Sequence, residues 1–113
     1  MINVFLDDYR ACPAGFVLAR SADECIMLLQ ECDIAILSLD YDLGWDQPTG
    51  MDVVRFIIAS QRFPQEIYMH SSSFEGRRGM YELLYQSKPD KVELYGSPVP
   101  YARLTAIANT REE

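Results

Sequence analysis

The sequence is poor in the residues that would send it out of the cell or onto a long polyanion. It has three cysteines, Cys12, Cys25 and Cys32, and no Cys-x-x-Cys pair, which argues against a disulfide framework or a zinc knuckle and reads as reduced packing thiols. No apolar run approaches the roughly 20 residues that span a bilayer, so no membrane partner is expected. The opening "MINVFLDDYR" has no basic start and carries two acids directly after its apolar run, the reverse of a secretory signal, and a cytoplasmic protein is expected. Positive charge is scarce as well. Ten Lys and Arg against 17 Asp and Glu leave a net charge of −7, which excludes a broad nucleic-acid-binding surface but not a small phosphate group, a single strand end or a metal ion. There is one histidine, His70, and one tryptophan, Trp45.

What remains is an ordinary globular composition, 49% hydrophobic and 24% charged over 113 residues, enough for one domain with one core. Strand-type and helix-type segments alternate. "INVFL" (2–6), "FVLAR" (16–20), "IAILSL" (34–39), "EIYMH" (66–70) and "KVELY" (91–95) read as strands. Helices are expected at about 22–31, after the Ser21–Glu24 capping pattern, at 51–61 after Thr49 and Asp52, and at 78–86 and 101–109. The third strand is the most continuous apolar run, as suits a strand buried on both faces. Alternation of this kind predicts an α/β three-layer sandwich around a mainly parallel five-stranded sheet. One step departs from it. Only a short loop separates the first two strands, where a parallel crossover usually takes about a dozen residues or more, so either a first helix has been lost or the second strand sits unusually.

Polar residues gather after strand ends: Asp7 and Asp8, Asp40 and Asp42, then His70, Ser71, Ser72 and Ser73. In open α/β sheets ligands bind beyond the carboxyl ends of the strands. If the first, third and fourth strands are neighbours, these groups share one crevice. Four carboxylates in one crevice call for a cation or for raised pKa values. An all-oxygen set suits a hard cation, Mg²⁺ first and Mn²⁺ or Ca²⁺ next, held by Asp7, Asp8, Asp40 and Asp42. His70 can serve as acid or base near neutrality, and the serines as nucleophile, phosphate donor or plain loop. Arg77 and Arg78 are placed to open the third helix, where free N–H groups and guanidinium forks bind anions, and Arg10 lies close behind Asp7 and Asp8. Trp45 can stack a base or ribose, or merely anchor its loop.

In order, "FLDDYRACP", "SLDYDLG", "TGMDVVRFI" and "HSSSFEGRRGM" resemble the motifs of the cyclic-phosphate processing receiver-like domains, relatives of response-regulator receiver domains. The resemblance covers about residues 3–80. It implies a receiver-like, flavodoxin-like Rossmannoid fold with a degenerate first helix, and processing of cyclic phosphates such as 2′,3′-cyclic ends of RNA or nucleotides. It also implies metal positions at Asp7, Asp8, Asp40 and Asp42, and further site residues at Arg10, His70, Ser71 and Arg77. The chain departs from the family in having Ser73-Phe74 where Asn-Pro is usual, and Gly79 where Asn is usual.

Two function classes follow. The first is a metal-dependent phosphoesterase acting on a small cyclic phosphate or an RNA end. Arg10, Arg77 and Arg78 would bind the phosphate, His70 would move a proton, and Asp40 would serve as ligand or nucleophile. The second is a receiver-like signalling module, phosphorylated on Asp40 or non-catalytic, that acts through a partner. Receivers carry a lysine at the end of the fifth strand; here Gly96-Ser97 follows it and Lys91 lies at the wrong end, which counts against the switch.

Overall fold

The computed structural model describes residues 1–110. The elements run β1 (Ile2–Leu6), β2 (Val17–Ala19), α1 (Ala22–Glu31), β3 (Ile34–Leu39), α2 (Gly50–Ser60), β4 (Glu66–Met69), α3 (Phe74–Ser87), β5 (Glu93–Leu94) and α4 (Tyr101–Thr110). All strand pairs are parallel, and the sheet order is β2-β1-β3-β4-β5. This is the flavodoxin-like, receiver-like order, and the strand sequence reverses between β1 and β3. Beyond that point a crevice opens.

The two faces are covered unequally. α1, α2 and α3 bury Cys25, Leu29, Val53, Val54, Ile57, Met80 and Leu84 against Val4, Leu6, Leu37, Leu39, Ile67 and Met69. On the other face α4 stands alone, packing Leu104 and Ile107 over Ile36, Tyr68 and Phe16. It is held by Arg103, which bonds Glu66 and the Tyr68 hydroxyl. The missing helix is the one expected between β1 and β2. Residues 7–16 cross over as irregular chain, and β2 still pairs parallel with β1. Among the described residues, no helix is long and apolar enough to cross a membrane. Burial pushes the Cys25 thiol up to about 12, in keeping with a packing role.

Several boundaries differ from the sequence expectations. α3 begins at Phe74 rather than 78, because Ser73 caps it by accepting the Gly76 N–H. β5 shrinks to two residues because Val92 N–H turns back to the Pro89 carbonyl. α2 begins one residue earlier, at Gly50, and ends at Ser60, because Gln61 takes a left-handed conformation.

Gly50 is the tightest contact between helix and site. A Cβ there would collide with the Asp40 carbonyl and crowd Met80 Sδ. Gly50→Ala should therefore destabilise the fold by about 1–3 kcal/mol through overpacking and displace Asp40 with it. Chemical denaturation checks this, and a variant within error of wild type would contradict the contact.

Candidate active site

The backbone brings three strand ends together in register. Asp7 N–H bonds the Ala19 carbonyl, Asp40 N–H bonds Leu6, and His70 N–H bonds Leu39, so the ladder runs one residue past each strand. The functional side chains thus start from rigid main chain.

Asp7 is fully buried and is the most heavily bonded group. Its Oδ1 accepts the Tyr9 and Arg10 N–H groups at 2.9 and 2.8 Å, closing the turn after β1. Its Oδ2 accepts Arg10 Nη1 at 2.8 Å and faces His70 Nε2 at 2.9 Å. Burial alone would raise its pKa. The bonds from Arg10, Tyr9 and His70 outweigh that, and the carboxyl falls from its ordinary 3.8 to about 2. Arg20 braces the same turn by donating to the Asp7 and Arg10 carbonyls.

Arg10 Nη1 also lies 3.4 Å from Asp40 Oδ2, so one guanidinium bridges the first and third strand ends. Its side chain is 32% exposed and has N–H groups to spare. Asp40 is 3% exposed. Burial raises its pKa, the Ser71 hydroxyl offsets part of that, the Asp7 charge adds to the rise, and His70 and Arg10 oppose it. Asp7 and Asp40, two carboxylates of one crevice, are thus pushed in opposite directions. Such divergence separates a structural anchor from a group available for chemistry.

His70 uses both ring nitrogens. Nδ1 meets Ser38 Oγ at 2.7 Å while Nε2 meets Asp7. Its ring stacks on Phe5 with centroids 4.3 Å apart. Burial lowers its pKa below the ordinary 6.5, against the pull of Asp7 and Asp40. At neutral pH the ring is uncharged, so Nε2–H donates to Asp7 and the Ser38 hydroxyl donates to Nδ1. Ser38, 2% exposed in the middle of β3, was not among the sequence candidates. Its signal was a single hydroxyl inside the run "IAILSL". Ser71 is buried beside Asp40, and its Oγ accepts the Ser73 N–H at 3.1 Å.

Asp8, Asp40 and Asp42 line a cleft of about 440 Å³ with Tyr9, Arg10, Gly44, Trp45 and Ser72. Gly44 turns the chain away at φ +114°, and Asp42 Oδ1 accepts its N–H at 3.1 Å. Trp45 is 91% exposed at the rim. Asp7, Asp40 and His70 offer atoms within 4.8 Å of one another. There, however, the Arg10 guanidinium and the Asp7–His70 bond already satisfy the carboxylates. By contrast, Asp8 Oδ1 is buried with no hydrogen-bond partner among the described residues. The four aspartates expected as metal ligands are therefore not gathered into one cluster: Asp42 caps the Gly44 turn, and Asp8 offers a single orphaned carboxylate oxygen, a donor that suits a hard cation.

The two arginines of α3 lie elsewhere. Because the helix starts at Phe74, they sit at its fourth and fifth positions, not at its free N–H end. Arg78 pairs with Glu82 at 3.0 Å on the exposed face, and Arg77 lines a groove against β5.

The network has an acid signature. A lowered carboxylate pKa stabilises the fold above its unfolded value, and that stability is lost as pH falls through the folded one. Asp7 should contribute about 2 kcal/mol that disappears between about pH 4 and pH 2. His70, a base with a lowered pKa, withdraws stability earlier, as pH falls below its ordinary 6.5. Urea unfolding at stepped pH checks both, and a flat profile from pH 5 to pH 2 would contradict the Asp7 bonding.

The model of the Cyclic-phosphate processing Receiver domain matches residues 2–86. No curated protein and no solved structure matches significantly.

Proposed function

The chain belongs to the cyclic-phosphate processing receiver domain family, and we propose that its crevice binds and hydrolyses a cyclic phosphodiester. The observation that carries this reading is the juxtaposition of a buried carboxylate of raised pKa, Asp40, with a fixed and partly exposed guanidinium, Arg10, at 3.4 Å. Asp8, whose Oδ1 is buried without a partner among the described residues, would be a ligand of a divalent cation, Mg²⁺ or Mn²⁺, which would neutralise charge on the phosphoryl oxygens.

The remaining work falls to the chain. Arg10, steadied by Asp7, donates to a phosphoryl oxygen and favours the charge that grows there. Asp7 stays ionised because His70 and the turn N–H groups hold it, and His70 acts through Asp7 rather than on the substrate. Asp40 accepts the proton of the attacking water, its raised pKa bringing it nearer the working pH. Water adds to phosphorus, one ribose P–O bond breaks, the leaving oxygen takes up a proton from solvent, and Asp40 returns its proton to solvent. The product is a phosphomonoester.

The test pairs two assays. Incubation with Mg²⁺ or Mn²⁺ and a panel of 2′,3′-cyclic nucleotides should give turnover, and acetyl phosphate should leave no stable acid-labile label. A stable label without turnover would favour the signalling module with Asp40 as phosphoacceptor. If neither signal appears and Mg²⁺ leaves the melting temperature unchanged, both readings fail.

A further inference from the structure

The crevice leaves Arg77 unused, and a second cavity lies beside it. This groove of about 500 Å³ runs between the start of α3 and the chain leaving β5, and Phe74, Arg77, Arg78, Tyr81, Glu82 and Gly96 line it. Two of its features have no folding explanation. Among the described residues, Arg77 Nε is buried without a hydrogen-bond partner, a state that costs free energy until an acceptor arrives. Arg77 also makes no ion pair among the described residues, whereas its neighbour Arg78 is neutralised by Glu82. The second feature is Phe74, whose side chain is left 66% exposed at the groove wall although Phe is ordinarily an interior residue.

An anionic acceptor for Arg77 and a flat partner for the rings of Phe74 and Tyr81 together describe a nucleotide, phosphate and base. The geometry points to this groove as the seat of the nucleotide that precedes the cyclic-phosphate end, so that the preferred substrate is an RNA end of two or more nucleotides. The inference rests on the proposed reading of the crevice. The two cavities are close in the chain: Ser72 lines the crevice and Phe74 the groove. The net charge of −7 fits a contact confined to one or two nucleotides rather than a long track.

The experiment compares kcat/KM for a 2′,3′-cyclic mononucleotide and for a dinucleotide ending in a 2′,3′-cyclic phosphate. Wild type, Phe74→Ala, Arg77→Ala and Arg77→Lys are assayed, each first checked for folding by circular dichroism. In parallel, fluorescence anisotropy follows a labelled trinucleotide with a 3′-phosphate at several salt concentrations. Wild type should prefer the dinucleotide by about tenfold or more, and Phe74→Ala should reduce that ratio by about tenfold, the loss of one stacked base. Arg77→Ala should lower the slope of log K against log salt by about 0.7, and Arg77→Lys should restore it. Equal rates on both substrates, unmoved by any variant, would overturn the groove while leaving the crevice reading intact. If no substrate turns over, the crevice reading falls and anisotropy alone decides: weaker binding in Phe74→Ala and Arg77→Ala upholds the groove, and unchanged binding overturns it.

Discussion

Asp40→Asn is expected to lower cyclic-phosphate turnover by about 10²-fold or more, and at the same time to make the protein more stable, by about 1 kcal/mol. Both effects come from one cause. Burial raises the Asp40 carboxyl above its ordinary value, and the nearby Asp7 charge adds to the rise. A carboxyl with a raised folded pKa costs stability once pH exceeds that value, because the ionised form is disfavoured in the fold. Asparagine keeps an oxygen for the Ser71 hydroxyl and for Arg10 but removes the charge. It also removes the group that takes the proton. Denaturant midpoints at pH 7 and pH 4, read beside turnover, check the pair. The gain should shrink at the lower pH, where Asp40 in wild type is closer to neutral. A variant that loses activity and stability together would mean that Asp40 is a structural residue.

Asp7→Asn should move stability in the opposite direction. Breaking a buried charge pair by removing one partner costs about 3–5 kcal/mol, a large share of the roughly 5–15 kcal/mol that holds a domain together. Asp7 receives two backbone N–H groups, the Arg10 guanidinium and His70. An asparagine Nδ2 would point donors at donors. Arg10 would lose its anchor, so turnover should fall as well, and the acid-dependent step between about pH 4 and pH 2 should vanish. Equilibrium unfolding in urea measures the cost. A loss under about 1 kcal/mol, the value of an exposed pair, would contradict the burial and bonding of Asp7.

These opposite signs for two aspartates of one crevice were only partly legible in the sequence. The alternation of strands and helices was readable because each element carries its own period, and the Asp7, Asp40 and His70 positions followed from their place after strand ends. "INVFL" and "IAILSL" became adjacent strands with the bounds read from them. Which carboxylate would be the anchor was not readable, since it depends on donors from Tyr9, Arg10 and His70 converging in three dimensions. Ser38 was hidden for the same reason: one serine in an apolar run gains meaning only when His70 lies across the strand. Arg77 and Arg78 were misplaced because the Ser73 cap starts α3 a turn earlier than the apolar spacing of Met80, Leu83 and Leu84 suggested. The crossover through residues 7–16 shows a related limit, since the sequence signals a missing helix but not that the strand pairing survives without it.

The most direct test of the account is phosphorus NMR of a 2′,3′-cyclic nucleotide incubated at pH 7 with Mg²⁺ and either the wild-type protein or folded Asp40→Asn. The wild type should convert the cyclic-diester resonance to a single monoester resonance, while Asp40→Asn leaves the diester intact. An unchanged diester with both proteins, or equal conversion by both, would contradict the account.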